Sequence, residues 1–341
     1  MREIAKLKQV LNRIRQLKSQ IVFLQEIHLR ATEIDRLQKR WSGQILCAPY
    51  SNHARGVLIL IHKSLPFQTT NVICDQYGRY IIIQGNISTC GLNLVCIYGP
   101  NDDNPTFFQS LFLTLSTLQG MCIIGGDFNC TLVPTKDRST NLDSTHLQTR
   151  KILLQSCKEL NLVEVWRERH PDKVEYSCYS STHGTHSRID YFLVSFGLLS
   201  KIKECWYDSI VISDHAAVSL NLHINTFIHN PKRWRFPVEL LQDAKFIKFA
   251  EERINNYFEI SRDQTDACVR WEAFKAYIRG EIISFTKSKA KQQRMERETI
   301  ENQIRLLEQE LYDNYSPQKA KNLQIMRAKY NKLSIEKVAK N

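Results

Sequence analysis

Short apolar runs recur through the first two thirds of the chain, each bounded by polar residues, and they follow two different periods. Residues 21–25, 57–61, 80–84, 92–98, 122–126, 175–180, 188–195, 202–208 and 216–222 are rich in Ile, Val, Leu, Tyr and Cys and are predicted as strands. Residues 3–18, 105–119 and 144–160 instead place their apolar side chains three and four apart, as Ile4, Leu7, Val10, Leu11, Ile14 and Leu17 do, and are predicted as helices. The second of these has a start signal in Asn104-Pro105, a side chain able to cap followed by a proline suited to a first turn. No helix separates 57–61, 80–84 and 92–98, so an all-parallel sheet is excluded. The expected architecture is α/β, with two mixed sheets packed together and helices outside.

Beyond residue 225 the texture changes. A basic aromatic segment, Pro231-Lys232-Arg233-Trp234-Arg235-Phe236-Pro237, leads into helical periodicity. Ile300, Ile304, Leu307 and Leu311 keep a 4-3-4 spacing, Ser316-Pro317 interrupts it, and Leu323, Met326, Tyr330 and Leu333 keep 3-4-3. That pattern predicts a helical hairpin whose arms are too short for a coiled coil. The chain is accordingly expected to divide into residues 1–225 and a basic helical region, 226–341.

Charge adds a partner class. The chain carries 47 Lys+Arg against 35 Asp+Glu, a net charge of +12. Residues 231–341 hold 23 against 16, or +7, leaving 24 against 19, or +5, for residues 1–230. Positive charge in both parts suggests a polyanion, against the plainer reading of a basic soluble protein; together with the motifs below it points to DNA, with RNA as the alternative polynucleotide. Ten cysteines without a C-x-x-C pair, several inside apolar runs, read as reduced thiols of an intracellular protein, nuclear or cytoplasmic. No apolar run reaches the ~20 residues a membrane helix needs, so no membrane partner is expected.

Four carboxylate-bearing segments carry the chemistry. Glu26 ends the run 21–25, Gly125-Gly126-Asp127-Phe128-Asn129 follows 122–124, Asp190 stands in Ser187-Arg188-Ile189-Asp190-Tyr191, and Ser213-Asp214-His215 precedes 216–222. Each lies at the end or start of a strand, where a scaffold delivers side chains from several strands to one edge. Singly, a Glu at a strand end is solvated and an Asp-x-Asn after glycines is a turn. Together they supply what phosphodiester hydrolysis needs: oxygen ligands for a hard divalent cation, a base for water and a donor for developing charge. A histidine beside a carboxylate holds its proton near neutral pH, and Asp190 is the natural partner to orient His215. Tyr98, closing the run 92–98, offers a hydroxyl to phosphate.

Leu24-Gln25-Glu26, Ile97-Tyr98-Gly99-Pro100-Asn101, Gly126-Asp127-Phe128-Asn129, Ser187-Arg188-Ile189-Asp190-Tyr191 and Ser213-Asp214-His215, in this order, resemble the endonuclease/exonuclease/phosphatase superfamily. Within it the chain looks most like the apurinic-like endonuclease domain of vertebrate LINE-type retrotransposons, a likeness that covers residues 1–225. The resemblance implies a four-layer α/β sandwich and magnesium-dependent cleavage, with manganese as a substitute, that leaves a 3′-hydroxyl. It implies Tyr98, Asp127, Asn129, Asp190 and His215 as catalytic residues, and Glu26, Asp127, Asn129, Asp214 and His215 around the metal. Ser177, Arg188 and Ser213 would bind substrate, Ser177 standing where the family carries Thr. A reverse transcriptase module would follow in the full-length element.

The sequence departs from the family in two places. The family's first strand carries an Asn in an Asn-x-x-Gly setting, and residues 1–20 hold no counterpart, so the expected fold lacks that strand; Ile27 also replaces the usual Thr after Glu26. Two other readings fit the same residues: an apurinic-site or exonuclease III-like repair enzyme, and a catalytically dead retroelement fragment that binds nucleic acid or protein.

Overall fold

The computed structural model describes residues 2–27, 34, 37–50, 55–140, 145–180, 184–224, 234–262, 266–313 and 316–339. In the first unit, Met1–His229, apolar alternation sorts the strands into layers. Helix α1 is Arg2–Leu17, followed by β1 (Ile21–Gln25), β2 (Gly43–Ala48) and β3 (Val57–His62). These strands form an antiparallel sheet in the order β1-β3-β2. β3 is an unbroken apolar run because both of its faces are covered. Leu58 and Leu60 meet Leu11 and Ile14 of α1, whereas Ile59 and Ile61 enter the inter-sheet core. Burying each such side chain stabilises the fold by about 1.5–3 kcal/mol.

The facing layer is a six-stranded sheet made of β4 (Phe67–Cys74), β5 (Tyr80–Ile87), β6 (Cys90–Tyr98), β7 (Met121–Asp127), β8 (Leu162–Glu164) and β11 (Asp190–Ser195). Its order is β4-β5-β6-β7-β11-β8, and it is mixed: β6 and β7 run parallel while the other pairs are antiparallel. The parallel pair requires a crossover, supplied by α2 (Pro105–Ser116). Asn104 caps that helix by accepting a hydrogen bond from the Phe107 amide at 3.2 Å. The outer face of this sheet, including Ile82, Val95 and Ile97, packs on Phe108, Leu111 and Phe112 of α2 and on Leu153 of α3 (Leu147–Glu159). Helix, sheet, sheet and helix therefore stack in four layers.

β12 (Ile202–Tyr207) and β13 (Val218–Leu222) form a separate antiparallel pair, and β9 (Cys178–Ser180) with β10 (Thr185–Ser187) forms a short hairpin. The strand expected over 175–180 thus shrinks to three residues. The Ser177 amide bonds instead to the Ser187 carbonyl at 2.9 Å, and its side chain serves the site described below. Strands β2, β4, β8 and β10 have no counterpart in the sequence expectation.

The second unit, Asn230–Asn341, holds helices α4 (Ala244–Ile260), α5 (Ala267–Asp313) and α6 (Pro317–Ala339). Ile300, Ile304 and Leu311 of α5 and Leu323 and Tyr330 of α6 are buried, so the hairpin seam lies where the 4-3-4 and 3-4-3 spacings place it. Arg327 pairs with Glu308 at 2.8 Å across the seam, and the Tyr330 hydroxyl bonds to Glu301. The boundary expected at residue 225 falls in 225–233, outside the described residues. No helix among the described residues is long and apolar enough to cross a membrane.

Candidate active site

Strand register brings the acids together. Tyr98 is opposite Asp127 in the β6–β7 pair, and Asp127 is opposite Asp190 in the β7–β11 pair, so three neighbouring strand ends present them side by side. Gly126 makes this approach possible. It holds φ +142°, and a Cβ there would run into the Ile97 carbonyl oxygen and lie 2.9 Å from Gln25 Nε2.

Glu26 follows β1 in a left-handed conformation, φ +51°, which costs a non-glycine residue about 1 kcal/mol. Its carboxylate accepts a short hydrogen bond from the Tyr98 hydroxyl. Burial, this carboxylate and the nearby Asp127 all push the Tyr98 phenol above its ordinary range, so Tyr98 stays a neutral donor.

Asp127 is buried, at 6% exposed, with Asp190 beside it at 7%. Burial and the Asp190 charge push Asp127 up to about 8, against the opposing pull of His215 and the Asn129 amide. That amide donates to Asp127 Oδ1 at 2.8 Å. The Asn129 side-chain nitrogen donates to the Gly99 carbonyl at 3.0 Å and to Asn101 Oδ1 at 2.9 Å. Its two N–H groups are therefore spent within the protein, and the atom Asn129 can offer a ligand is its carbonyl oxygen. That suits a cation or a water rather than a phosphate oxygen.

His215 Nδ1 donates to Asp190 Oδ2 at 2.8 Å. Burial alone would lower the imidazole, but the Asp190 charge and hydrogen bond, with Asp127 beyond, raise it to about 12. These neighbours favour the protonated ring, which also has the Cys178 thiol as a side-chain hydrogen-bond partner. One donor atom each from Asp127, Asp190 and His215 lies within 4.8 Å of the others, a group that could hold a metal ion. A cation bound by that set would have to displace the imidazole proton, and Glu26 lies outside the group, its carboxylate held by the Tyr98 hydroxyl.

Ser177 is fully buried. Its hydroxyl donates to Asp190 Oδ2 at 2.7 Å and accepts the Ile189 and Asp190 amides at 3.0 Å each. The expected role in substrate binding is corrected: Ser177 holds Asp190, which holds His215. Ser213 lies exposed, its Oγ accepting the His215 amide at 3.1 Å within one turn. Asp214 is also exposed, and its carbonyl accepts the Tyr179 amide at 3.1 Å. Among the described residues the Asp214 carboxylate lies outside the Asp127–Asp190–His215 group.

Arg188 requires a larger correction. It is 0% exposed and cannot touch a substrate. Its guanidinium makes a two-nitrogen contact with Asp137 at 2.8 and 3.1 Å and pairs with Glu164 at 3.0 Å. Arg167 joins Asp137 at 2.6 Å. Arg188 also donates to the Tyr207 hydroxyl at 3.3 Å, which donates to the Asp190 carbonyl at 2.6 Å. Sequence reasoning missed Asp137, Glu164 and Tyr207, and no local pattern marks an acid or a tyrosine as buried.

The fold and the transposon link both have relatives. The chain is 27% identical over 309 residues to the "Transposon TX1 uncharacterized 149 kDa protein" of Xenopus laevis, a match that takes 89% of this chain and spans 23% of that protein's length. The catalytic domain of Xenopus laevis APE2 superposes with a TM-score of 0.54 at 18% identity, over 64% of this chain and 88% of that one. A 3′ phosphatase, NExo from Neisseria, solved with a product DNA hairpin, gives 0.52 at 21% identity over 64% and 95%. The family model itself matches residues 2–215, from α1 through the His215 turn, and the chain belongs to the Endonuclease/Exonuclease/phosphatase family.

Proposed function

We propose that this chain is a magnesium-dependent endonuclease segment of a LINE-type retroelement, which nicks DNA and leaves a 3′-hydroxyl for a reverse transcriptase module to extend. The observation that carries this reading is the convergence of Asp127, Asp190 and His215 within one group, beside the Glu26–Tyr98 pair. The transposon relative matches 89% of the chain, more than the first unit alone holds, while the superposed nuclease structures cover 64%. That difference favours the retroelement reading over a stand-alone repair nuclease.

In this reading Asp127, a buried acid poised near neutral pH, accepts the proton of the attacking water. Asp190 fixes the imidazole through Nδ1, so that Nε2–H meets a non-bridging phosphate oxygen. The Tyr98 hydroxyl, kept neutral, gives its one proton to Glu26, and would turn to the phosphate as a second donor once a cation takes that carboxylate. Glu26, Asp127 and the Asn129 carbonyl oxygen would hold the divalent cation, whose bound charge neutralises the phosphate.

Supercoiled plasmid tests the proposal. The chain is expected to convert it to nicked circles with magnesium or manganese, to stop when chelator is added, and to leave ends that a DNA polymerase extends without prior repair. Chelator-insensitive nicking, or ends that resist extension, would overturn it. Binding should weaken steeply with salt, since the net charge is +12. With about 5 phosphate contacts the log–log slope is about −4.5, measurable between 50 and 200 mM salt as order-of-magnitude limits. A flat response would point to a protein partner instead.

A further inference from the structure

A ladder of backbone hydrogen bonds runs sideways from the Glu26–Tyr98 pair onto an exposed surface. The Ile27 amide donates to the Gly56 carbonyl at 3.2 Å, and the Gly56 amide to the Gly78 carbonyl at 3.0 Å. The Tyr98 amide then donates to the Arg79 carbonyl at 2.7 Å. Arg55 and Arg79 are thereby set beside the two residues that form the Glu26–Tyr98 hydrogen bond. Asp75 stiffens the turn by accepting the Tyr77 and Arg79 amides at 3.1 and 2.8 Å. Gly78 holds φ +63° there, and a Cβ would lie 2.7 Å from Tyr50 Cβ, so Tyr50 sits directly against the turn.

Two aromatic rings stand open on this ladder. Tyr50 is 49% and Tyr77 52% exposed, with ring centroids 6.4 Å apart. The Arg55 guanidinium lies 5.0 Å over the Tyr50 ring and that of Arg79 5.8 Å over Tyr98. Among the described residues neither arginine is within an ion pair. Burial and the Arg55 charge lower Arg79, while Tyr98, Asp102 and Asp75 offset this only in part. Two neighbouring guanidinium groups of this kind are relieved by an anion, and exposed tyrosines carry an unstacked base or a sugar at modest entropic cost.

We propose that Arg55, Arg79, Tyr50 and Tyr77 form a subsite for the DNA strand flanking the scissile phosphate, the arginines taking a neighbouring phosphate and the tyrosines the unpaired nucleotide attached to it. The proposal rests on the endonuclease reading of the adjacent site. It implies that substrates with a frayed or single-stranded flank bind better than fully paired DNA.

Binding and nicking separate the two ideas. Fluorescein-labelled oligothymidylate is titrated with the full chain carrying Asp127→Asn, so that no cleavage intervenes. Tyr50→Ala with Tyr77→Ala is expected to weaken binding about fivefold or more. Arg55→Gln with Arg79→Gln should weaken it for every DNA sequence and flatten the salt slope by about 1. Lys203→Gln, which removes an exposed cation elsewhere, serves as control. Thermal melts of each variant identify any that unfold, and Arg55→Gln alone carries the electrostatic arm if the pair does. Affinities within twofold of the parent for both pairs, or an effect seen with RNA and not with DNA, would overturn the subsite. Plasmid nicking by the otherwise unaltered chain reports on the endonuclease reading independently.

Discussion

Asp137→Ala should be the most destabilising single substitution in the first unit, lowering stability by about 3–5 kcal/mol, because removing one partner of a buried pair leaves the other uncompensated. The side chain is fully buried and saturated. Oδ1 accepts from Arg167 at 2.6 Å and Arg188 at 2.8 Å, while Oδ2 accepts from Arg188 at 3.1 Å and the Val133 amide at 2.8 Å. Without it the Arg188 guanidinium keeps only Glu164 and the Tyr207 hydroxyl. For a unit of roughly 150–250 residues each kcal/mol moves the melting temperature by about 2–4 °C, so a fall of about 6–20 °C is expected by circular dichroism. A melt within about 2 °C of the parent would show that the pair contributes little. Replacing Arg188, Asp137 and Glu164 together by apolar residues should recover part of the loss, since the Arg188 charge is then removed while Arg167 still loses its carboxylate.

The buried cluster also marks where the sequence stops being legible. Arg188 sits inside Ser187-Arg188-Ile189-Asp190-Tyr191, and an arginine among nuclease-like residues is naturally read as a phosphate ligand. Its partners lie 51 residues away at Asp137 and 24 away at Glu164, and nothing in the order of residues reports such pairing. The resemblance places Ser177 at the substrate because it stands where the family carries Thr. Its neighbours in the chain give no hint that its hydroxyl bridges the Asp190 carboxylate and two amides. What could be read was the set of groups whose chemistry is local. Asp127 and Asn129 project from one sharply turning strand end, and His215 and Asp190 are complementary wherever they meet.

Strands were legible in proportion to their burial. β3 and β6, buried along most of their length, stand out as apolar runs. β4, Phe67-Gln68-Thr69-Thr70-Asn71-Val72-Ile73-Cys74, is an edge strand with an exposed polar face, so its apolar signal is diluted. β8 and β10 have three residues each, too few to display a period. The helical hairpin was legible because a seam between two helices imposes its own spacing, which Ile300, Ile304 and Leu311 carry whatever surrounds them.

Asp127→Asn should lower nicking by about 10²–10⁴-fold while leaving the fold intact, the range set by loss of a positioned general base. Asn keeps the shape of the side chain and an oxygen for the Asn129 amide, but it cannot take a proton from water. Asp127 also links cation binding to pH. Its folded pKa is raised to about 8, so below that value the empty site holds a proton that an arriving divalent cation must expel. Cation affinity should therefore climb with pH up to about 8, by at most about tenfold per unit, and level off above it. Titration calorimetry in buffers of different ionisation enthalpy measures the released proton directly, and Asp127→Asn should remove both the release and the pH dependence. Because Asn129 and Glu26 retain their oxygens, the variant should still bind the cation, more weakly and independently of pH. Undiminished nicking by Asp127→Asn would remove Asp127 from the chemistry and leave the Asp190–His215 pair to account for the activity.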